Sequence, residues 1–362
     1  MKIFNLMSEF DYEQLVFCND EKSGLKAIVC IHNSTLGPAL GGLRYYEYPS
    51  EEEAIIDVVR LARGMTYKNA AAGVNLGGAK AVLIKDPNKP KSEAMLKAFA
   101  RFVEGLNGRY ITAEDVGTTE DDMDIILSET DYVVGTSLRP KTSGNPSPVT
   151  AHGVYVGIKA ACKEAFGSDS LEGKKILVEG IGNVGMNVVR EALEEGALVY
   201  VSDINEKSIE EALSLGAQRA DQDPYAMDID IYSPCAMGAS INDSSLAKLK
   251  AKVVAGSANN QLAEERHGEV LKEKKMVYAP DFIINSGGVI NVADELYGGY
   301  NPERAMRTVE KIYDKLGEIF EIAREENIST NKAAERLAER RLEEVLNTKR
   351  IFVNDNKNIL KF

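Results

Sequence analysis

"KKILVEGIGNVGMNVVREALEEGALVYVSD", residues 174–203, is the stretch of this chain that defines its fold class. It alternates a β-rich run, a glycine turn, an amphipathic helical run and a second β-rich run, which is the order of a βαβ unit. Gly180, Gly182 and Gly185 complete the pattern G-x-G-x-x-G, which is weak alone because glycine-rich turns are common. Here the pattern directly follows "KILVE" and opens a helix, so backbone N–H groups and the helix N-terminus can face a pyrophosphate.

Asp203 ends the second β-rich run, 23 residues after Gly180. A carboxylate at this place can accept the ribose hydroxyls of NAD, and its charge would repel the 2′-phosphate of NADP. The alternative is an ordinary strand turn in which Asp203 caps the helix that starts in "SDINEKS". The complete context of strand, turn, helix and carboxylate favours NAD as the cofactor.

The bulk composition points to small-molecule chemistry in a reducing compartment. The 362 residues are too many for one typical core and predict two domains. A formal net charge of -13 disfavours nonspecific attraction to nucleic acid or an anionic membrane. The four cysteines, Cys18, Cys30, Cys162 and Cys235, show no CxxC spacing, so we expect reduced thiols and a cytoplasmic location.

Three further classes are disfavoured by what the sequence lacks. No N-terminal segment has the basic, apolar and small-residue order of a signal peptide, and no apolar run approaches the roughly 18 residues of a membrane span. The three histidines, His32, His152 and His267, are scattered singly, which argues against a histidine-based metal site. We therefore expect a soluble protein with no membrane partner and no essential metal.

The chain before the βαβ unit also alternates helical and strand-like runs. "SEEEAIIDVVRLARG" begins with Ser50 and Glu53 in capping-box spacing and predicts a helix that stops at Gly64. "AKAVLIKDP" predicts a strand, "SEAMLKAFARFVEGLNG" a helix and "RYIT" a strand. Thr119 and Asp122 predict a second capping box that opens "EDDMDIILSE", and "DYVVG" predicts another strand. Residues 1–140 are therefore predicted to be one α/β domain.

The stretch "RPKTSGNPSPVTAHG", residues 139–153, has the proline, serine and glycine content of an interdomain crossing. The predicted fold class is α/β with two domains, an N-terminal α/β catalytic domain and a Rossmann-type NAD-binding domain over 141–329, separated by a cleft that closes around the reaction. The βαβ part of the second domain begins near Leu171. The charged, helix-rich tail should dock, with residues 330–362 packing back on the first domain.

"TYKNAAAGVNLGGAKAVLI", residues 66–84, places Lys68 and Lys80 among small and apolar residues. One interpretation is snorkelling, in which the stems lie on apolar surface and the ammonium groups reach water. The other is a pocket where one ammonium binds an anion and the other, desolvated, gives up its proton easily. Beside a nicotinamide cofactor the second interpretation suits amine oxidation, because water must attack the iminium left by hydride removal.

Asp115, in "TAEDVGTT", follows a predicted strand and could shuttle protons to a departing amine. The alternative for Asp115 is a loop carboxylate that caps the next helix. Pattern alone leaves these two alternatives open.

Seven segments, taken together, allow the chain to be compared with a known family: "TLGPALGGLR", "RGMTYKNAAAGVNLGGAK", "LNGRYITAEDVGTT", "GNPSP", "GIGNVG", "AGSANNQL" and "INSGGVINVADELYG". In this order, over nearly the whole chain, they resemble the Glu/Leu/Phe/Val dehydrogenase family. Linked motifs of this length are far more specific than one glycine loop. The resemblance implies reversible NAD-dependent oxidative deamination of a branched-chain L-amino acid, leucine with valine and isoleucine, to a 2-oxo acid and ammonia.

The resemblance also implies roles for individual residues. Lys68 would bind the substrate carboxylate, Lys80 would activate water as general base, and Asp115 would handle the proton on nitrogen. The substrate would be bound further by Leu40, Gly41, Gly42, Met65, Ala113, Val289 and Val292. This pocket is aliphatic and small, which disfavours glutamate and phenylalanine. For Leu40, Val289 and Val292 the alternative is plain core.

On the cofactor side the resemblance implies that NAD is bound by Gly180, Gly182, Asn183, Val184, Gly185 and Asp203, with Thr150, Asn260 and Asn285 near its nicotinamide end. Without the resemblance, a buried asparagine or threonine side chain is expected to hydrogen-bond to a backbone group more often than to a ligand. The resemblance further implies a homo-oligomer, an octamer. Departures from the expected pattern are Val134 where a threonine is expected, Ser286 where an alanine is expected, and one extra glycine at Gly298-Gly299. The rival functions are the same reaction on phenylalanine, a catalytically silent NAD-binding regulator and an assembly scaffold.

Overall fold

Residues 2–348 of the chain are described by a computed structural model, and they divide into two units. Unit 1 comprises residues 2–144, Val292–Pro302 and 338–348. Unit 2 comprises Asn145–Asn291 and Glu303–Leu337. The border after Gly144 falls inside the stretch 139–153 that has the composition of a crossing, while residues 349–362 of the tail lie outside the described residues.

Two segments are grouped differently from the predicted division at 140 and 330. Val292–Pro302 belongs to unit 1 because Glu295 accepts a hydrogen bond from the backbone N–H of Ser143 and Tyr297 accepts one from that of Asn75. Residues 330–337 belong to unit 2, where Lys332 forms an ion pair with Glu269 at 2.8 Å. Such pairings join residues distant in sequence, so no local pattern predicts them.

Unit 1 contains these elements before residue 130: α1 (Ile3–Glu9), β1 (Gln14–Asp20), β2 (Leu25–Asn33), β3 (Ala39–Tyr46), α2 (Glu51–Ala72), β4 (Gly77–Ile84), α3 (Glu93–Gly105), β5 (Tyr110–Glu114) and α4 (Glu120–Leu127). The strands form a five-stranded sheet of order β1-β2-β4-β3-β5. Strands β1, β2 and β4 pair antiparallel, and β3 pairs parallel with both β4 and β5. One face packs against α2 and the other against α3 and α4.

Helix α2 begins at the predicted cap, Ser50, whose side chain accepts a hydrogen bond from the N–H of Glu53. Its predicted end at Gly64 is wrong, since the helix continues to Ala72 and ends at Gly73, which has a left-handed φ of 81°. Gly64 lies in open space, and the alanine-rich residues after it are good helix formers that outweigh its weak propensity. Lys68 therefore lies on a helix and Lys80 on the following strand.

Other local predictions in unit 1 have mixed outcomes. The helix α3, the strand β5 and the capping box of Thr119 and Asp122 on α4 are confirmed. The predicted strand "DYVVG" is wrong, because only an isolated bridge joins Val133 to Thr112. A short apolar run can pair at one residue without forming a ladder.

The helices and strands of unit 2 up to residue 284 are α5 (Ser147–Phe166), β6 (Lys175–Glu179), α6 (Asn183–Glu194), β7 (Leu198–Ser202), α7 (Glu206–Ser214), β8 (Gln218–Arg219), β9 (Ile231–Pro234), α8 (Asp243–Lys248), β10 (Val253–Val254), α9 (Arg266–Glu273), β11 (Val277–Tyr278) and α10 (Asp281–Ile284). The strands form a parallel sheet of order β11-β10-β9-β6-β7-β8, and the predicted βαβ unit is confirmed as β6, α6 and β7. The two-domain α/β fold class is confirmed.

The remaining helices are α11 (Gly287–Asp294) and the three helices of the charged tail, α12 (Pro302–Glu310), α13 (Ile312–Glu325) and α14 (Thr330–Thr348). They are packed through buried small and apolar side chains such as Ala305, Leu316 and Ala338. In unit 1, Arg341 donates hydrogen bonds to the carbonyls of Ala70 and Gly73 at the end of α2. Within residues 2–348, none of the helices has both the length and the apolar composition needed to cross a membrane.

Candidate active site

Lys80 lies in the middle of β4, on the sheet face that packs against α2. It shares this face with the buried Val82, because side chains two residues apart on a strand point the same way. Its side chain is only 6% exposed, and the strand register places it opposite Cys30 on β2. The ammonium does not reach solvent, so the snorkelling interpretation is wrong for Lys80.

Asp115 directly follows β5 and pairs with Lys80. Its Oδ1 lies 2.8 Å from Lys80 Nζ, and its Oδ2 accepts a hydrogen bond from Arg44 Nε at 2.9 Å. The alternative role as a cap for the next helix is wrong, because Thr119 caps α4. Both oxygens of this carboxylate therefore face cations.

Burial and charge set the protonation of this pair in opposite directions. Burial lowers the pKa of Lys80 because a buried ammonium loses its hydration, and the attraction of Asp115 opposes this shift without cancelling it. Burial alone would raise the pKa of Asp115, but Lys80 and Arg44 outweigh burial and lower that pKa. The site can thus hold an ionised carboxylate beside a lysine that releases its proton more easily than a free lysine.

Gly41 and Gly42 on β3 are required by the packing of the protein itself. A Cβ at Gly41 would lie 1.7 Å from the carbonyl oxygen of Ala79, and one at Gly42 would lie 2.8 Å from Cβ of Asp115. No real Cβ approaches so closely, so these glycines let β4 and Asp115 lie directly against β3. The family resemblance predicts for them only a role in substrate approach.

The other residues predicted to bind substrate are distributed over both units. In unit 1, Met65 and Lys68 are half-buried on α2, Leu40 is fully buried on β3, and Ala113 is half-buried on β5. The helix α11 carries the remaining pair, with Val289 buried in unit 2 and Val292 half-buried in unit 1. The burial of Leu40 fits its plain-core alternative as well as a pocket role.

Two further residues, Arg44 and Asp57, join Lys80 and Asp115 in a charged cluster of four side chains. The sequence pattern did not predict a role for either of them. Arg44 donates one hydrogen bond to Asp115 and another from NH1 to Oδ2 of Asp57 at 3.0 Å. A signal was present, since "ALGGLR" places an arginine on the same strand as the two tightly packed glycines. Asp57 had no such signal because it lies in the acidic first half of an ordinary amphipathic helix.

The glycine loop of unit 2 uses its three glycines in two ways. Gly180 has a φ of 89°, and a Cβ there would lie 2.5 Å from Ala236, while one at Gly185 would lie 2.0 Å from the carbonyl oxygen of Gly180. Gly182 has no atom within 4 Å of its Cβ position. The first and third glycines thus allow tight packing, and the second leaves the backbone open to a ligand, as a pyrophosphate requires.

The start of α6 also fits a bound pyrophosphate. Its N-cap is Gly182, and no side chain caps the N–H groups of the first turn, where Asn183 is exposed and Val184 half-buried. These donors and the helix dipole are available to an anion. The residues present therefore fit a dinucleotide.

Asp203, after β7, has a structural role in addition to its predicted one. Its carboxylate accepts hydrogen bonds from the N–H of Ile181 at 2.7 Å and of Asn205 at 2.8 Å. The alternative of Asp203 as the helix cap is wrong, because Asn205 caps α7. Asp203 thus fixes the glycine loop and keeps its charge beside it.

The three residues predicted for the nicotinamide end make contacts within unit 2. Thr150 donates to the carbonyl of Pro146, and its Oγ1 lies 2.9 Å from the Cβ position of Gly288. Asn285 is buried, and its Nδ2 donates to the carbonyl of Ser257 at 3.1 Å. Asn260 is exposed with a φ of 51°. Thr150 and Asn285 therefore satisfy backbone groups, as bare residues of these types usually do.

Comparison with known families settles the relationship of the whole chain. Residues 12–132 match the family model described as Glu/Leu/Phe/Val dehydrogenase, dimerisation domain, and residues 203–349 match the one described as Glutamate/Leucine/Phenylalanine/Valine dehydrogenase. The chain belongs to the Glu/Leu/Phe/Val dehydrogenase family. Unit 1 therefore carries the first family domain, and the family's second match begins at Asp203 in unit 2.

Individual relatives within the Glu/Leu/Phe/Val dehydrogenase family span the full chain. A leucine dehydrogenase of Thermoactinomyces intermedius is 59% identical over 100% of this chain and 99% of its own length. A leucine dehydrogenase of Bacillus subtilis is 59% identical over 99% of both chains. The crystal structure of L-tryptophan dehydrogenase from Nostoc punctiforme superposes with a TM-score of 0.86 at 43% identity, over 95% of this chain and 99% of that one.

Three positions depart from the expected family pattern. Val134 is fully buried, and its N–H donates to the carbonyl of Thr112, so the missing hydroxyl is replaced by apolar packing. Ser286 is also fully buried, and its hydroxyl has no hydrogen-bond partner among the described residues. Gly298 and Gly299 have φ of 86° and 92°, so the extra glycine lies in a stretch whose left-handed backbone conformation is rarely adopted by residues other than glycine.

A possible cation-binding group lies in unit 2 of this family member. Among residues 2–348, the one cluster of three potential metal ligands is Asp243, Glu264 and the buried His267. Arg266 donates to Asp243 at 2.9 Å and to Glu264 at 3.0 Å. A guanidinium thus already neutralises both carboxylates.

Proposed function

We propose that this Glu/Leu/Phe/Val dehydrogenase catalyses the reversible NAD-dependent oxidative deamination of leucine, valine and isoleucine to 2-oxo acids and ammonia. The observation that carries the proposal is the buried ion pair of Lys80 and Asp115 at 2.8 Å. The 59% identity to the leucine dehydrogenase of Thermoactinomyces intermedius exceeds the 45% identity to the L-tryptophan dehydrogenase of Nostoc punctiforme, which supports an aliphatic substrate.

Lys80 is the general base in this proposal. The bound NAD supplies the acceptor for hydride from the α-carbon of the amino acid. Water must then lose a proton as it attacks the carbon, and a neutral Lys80 amine can take that proton. Burial, which lowers the pKa of Lys80, makes the neutral amine available at a pH where a free lysine would stay protonated.

Asp115 handles the proton on nitrogen. Beside Lys80 and Arg44, the ionised carboxylate can take a proton from the substrate ammonium before hydride transfer and return it to the departing amine, while Lys80 takes the proton of the attacking water. The tight packing of Gly42 against Asp115 limits where this carboxylate can move. Its orientation is therefore built in before substrate arrives.

Substrate selection rests on one cation and an aliphatic pocket. Lys68 binds the substrate carboxylate, and the side chain is received by Leu40, Gly41, Gly42, Met65, Ala113, Val289 and Val292. None of these pocket residues carries a charge, so the side chain of glutamate would lose its hydration without a partner. The substrate ranking we expect is therefore aliphatic over acidic.

NAD is held by the glycine loop of unit 2. We assign the pyrophosphate to Gly180, Gly182, Asn183, Val184 and Gly185 and the adenosine ribose to Asp203, with Thr150, Asn260 and Asn285 at the nicotinamide end. The open space at Gly182 and the uncapped first turn of α6 support this assignment. Asp203 should favour NAD over NADP by charge repulsion.

We further propose a homo-oligomer, an octamer, located in the cytoplasm. The match of residues 12–132 to a dimerisation domain supports self-association through unit 1. The four cysteines are free thiols, three of them buried, which supports a reducing compartment. Size-exclusion chromatography with light scattering measures the subunit number.

The experiment that tests the activity is NADH formation from a panel of L-amino acids, with NAD and NADP, in wild type, Lys80→Ala and Lys85→Ala. Lys85 follows β4, and its ammonium pairs with Glu47 at the surface, so it is a matched control. We expect branched-chain activity with NAD, a loss of about 10²-fold to 10⁴-fold in Lys80→Ala and no loss in Lys85→Ala. A preference for phenylalanine would show that the proposed substrate is wrong. If wild type forms no NADH from any amino acid but still binds NAD, a role as a regulator would be favoured.

A further inference from the structure

Arg44 joins two carboxylates that come from different elements of unit 1. It lies on β3, and its side chain is 21% exposed. Its Nε donates to Asp115 at 2.9 Å, and its NH1 donates to Asp57 on α2 at 3.0 Å. The guanidinium thus connects the residue that pairs with Lys80 to the helix that covers the sheet.

The chemistry of a guanidinium suits this bridging position. Its donors are fixed in a planar fork, so two carboxylates in different directions can be held at once, whereas a lysine ammonium is a point charge on a flexible stem. Arg44 also stays protonated, because Asp115 and Asp57 outweigh burial and raise its pKa. The positive charge beside Asp115 is therefore permanent.

The far end of this bridge is itself anchored. Asp57 Oδ2 accepts a hydrogen bond from the hydroxyl of Tyr48 at 2.7 Å, and Oδ1 accepts one from Arg60 at 3.2 Å. Asp57 therefore has partners on each oxygen and a fixed direction. The result is a continuous chain of contacts, Lys80 to Asp115 to Arg44 to Asp57, that runs from β4 across to α2.

The backbone of Asp115 is fixed independently of Arg44. The buried Thr118 accepts a hydrogen bond from the N–H of Asp115, and its hydroxyl lies 2.9 Å from the carbonyl oxygen of Leu43. Gly42 gives Cβ of Asp115 no room to approach β3 further. With the backbone fixed, the direction of the carboxylate depends on the two cations that contact its oxygens.

We propose that Arg44 is a positioning residue for the deamination: it holds Asp115 against Lys80 and favours the ionised carboxylate and the neutral lysine with which the reaction starts. This inference rests on the proposed function, in which Lys80 is the base. In this role Arg44 acts through its contact with Asp115.

The charged groups around Lys80 give the expected direction of the effect. Asp115 and Asp57 favour the protonated lysine, and Arg44 disfavours it, beyond the larger effect of burial. From β2, Cys30 adds no charge at working pH because burial raises the pKa of its thiol to about 12. Helix α2 also carries Lys68, the carboxylate-binding cation of the proposed mechanism. Removal of Arg44 leaves two carboxylates near Lys80 and should make it hold its proton to higher pH.

The test is the pH dependence of kcat/KM for leucine in wild type, Arg44→Met, Arg44→Lys and Arg101→Met. Arg101 on α3 pairs with Glu129 and is 70% exposed, so the same substitution there is a matched control. We expect the acidic limb of the Arg44→Met profile to move to higher pH. The loss of kcat/KM relative to wild type should be about tenfold larger at neutral pH than on the alkaline plateau, because a shift of one pKa unit changes the active fraction by a factor of ten.

Arg44→Lys keeps a charge but can reach only one carboxylate, so its limb should lie between those of wild type and Arg44→Met. This variant is the safeguard if the methionine variant does not fold, as judged by thermal unfolding and by NADH binding. A deficit that is the same at every pH, in either folded variant, overturns the proposal and leaves Arg44 a structural residue. If wild type forms no NADH from any amino acid, the proposed function itself is rejected. This outcome is distinct from a failure of the Arg44 proposal, which requires an active wild type.

Discussion

The charged cluster of unit 1 and the glycine loop of unit 2 are two sites built on opposite principles. The glycine loop and its carboxylate lie within residues 180–203, and the loop offers open backbone at Gly182. The charged cluster takes residues from β3, α2, β4 and the end of β5, and its polar atoms already contact one another. A site for a charged ligand can be left open to it, whereas a base with an altered pKa needs burial and partners from several segments.

Glycine shows the same contrast in a single residue type. Gly41 and Gly42 are filled at their Cβ positions by the protein itself, by Ala79 and by Asp115. Gly182 has no atom within 4 Å of its Cβ position, which leaves room for the dinucleotide of the proposed function. A glycine in a motif therefore indicates a position where a Cβ is not tolerated. Only the tertiary structure shows whether protein atoms fill that Cβ position or whether it is left open for a ligand.

The largest effect should come from alanine at these two kinds of glycine. In Gly41→Ala the new methyl must displace the backbone of β4, which should cost about 3 kcal/mol or more in unfolding free energy and remove activity. In Gly182→Ala stability should be unchanged, while the dissociation constant for NADH should rise about tenfold or more because the methyl blocks the pyrophosphate. Denaturant unfolding and NADH fluorescence titration measure the two quantities.

Gly64→Ala is the control for this comparison, since Gly64 lies in open space on α2. It should stabilise the protein by about 1 kcal/mol through helix propensity alone. Equal destabilisation by Gly41→Ala and Gly182→Ala would contradict the distinction between protein-filled and ligand-reserved glycines.

His32 allows a test of how burial controls protonation outside the charged cluster. Its ring is buried and contacts the carbonyl of Phe10 through Nε2, at 3.1 Å, and the hydroxyl of Thr66 through Nδ1. A carbonyl only accepts, so Nε2 carries a proton, and in the neutral ring Nδ1 can accept from the hydroxyl of Thr66. Burial lowers the pKa of His32 from 6.5 to about 4.

Because the folded-state pKa of His32 lies below the unfolded value, the unfolded state binds the extra proton first as pH falls. The stability contributed by neutral His32 should be complete above about pH 6.5 and decline toward about pH 4, by about 3 kcal/mol in total. The measurement is unfolding free energy against pH in wild type and His32→Gln. Parallel curves for the two proteins over this window would contradict the burial of a neutral ring.

The smallest effect should come from Thr119, the cap of α4 behind Asp115. Its side chain accepts a hydrogen bond from the N–H of Asp122, and the carboxylate of Asp122 accepts one from the N–H of Thr119. Thr119→Ala should cost about 1 kcal/mol in unfolding free energy and leave the pH profile of kcat/KM unshifted. A shifted profile would show that the cap, and not the two cations, orients Asp115. Thermal unfolding and the profile together decide this.

Local signals predicted those parts of the fold whose stabilising groups are close in sequence. The capping box at Thr119, the helix α3 and the βαβ unit around Gly180 are of this kind. The sequence pattern does not place the strands β1, β2 and β3, although "LKAIVCIHN" is β-rich, because pairing among distant strands decides their position: β1 with β2, β2 with β4, and β3 with β4 and β5. The end of α2 was misplaced because a glycine in open space does not stop a helix.

The sequence by itself determined the βαβ unit, the dinucleotide loop and the candidacy of Lys80 and Asp115, because short-range spacing and residue type carry that information. Only the tertiary structure decided that Arg44 and Asp57 join the cluster and that Gly41 and Gly42 are filled by the protein's own atoms. It also decided that Val292–Pro302 belongs with unit 1. The physical reason is that burial and ion pairing act through distance in space, and residues 44, 57, 80 and 115 become neighbours only when the sheet and α2 have formed.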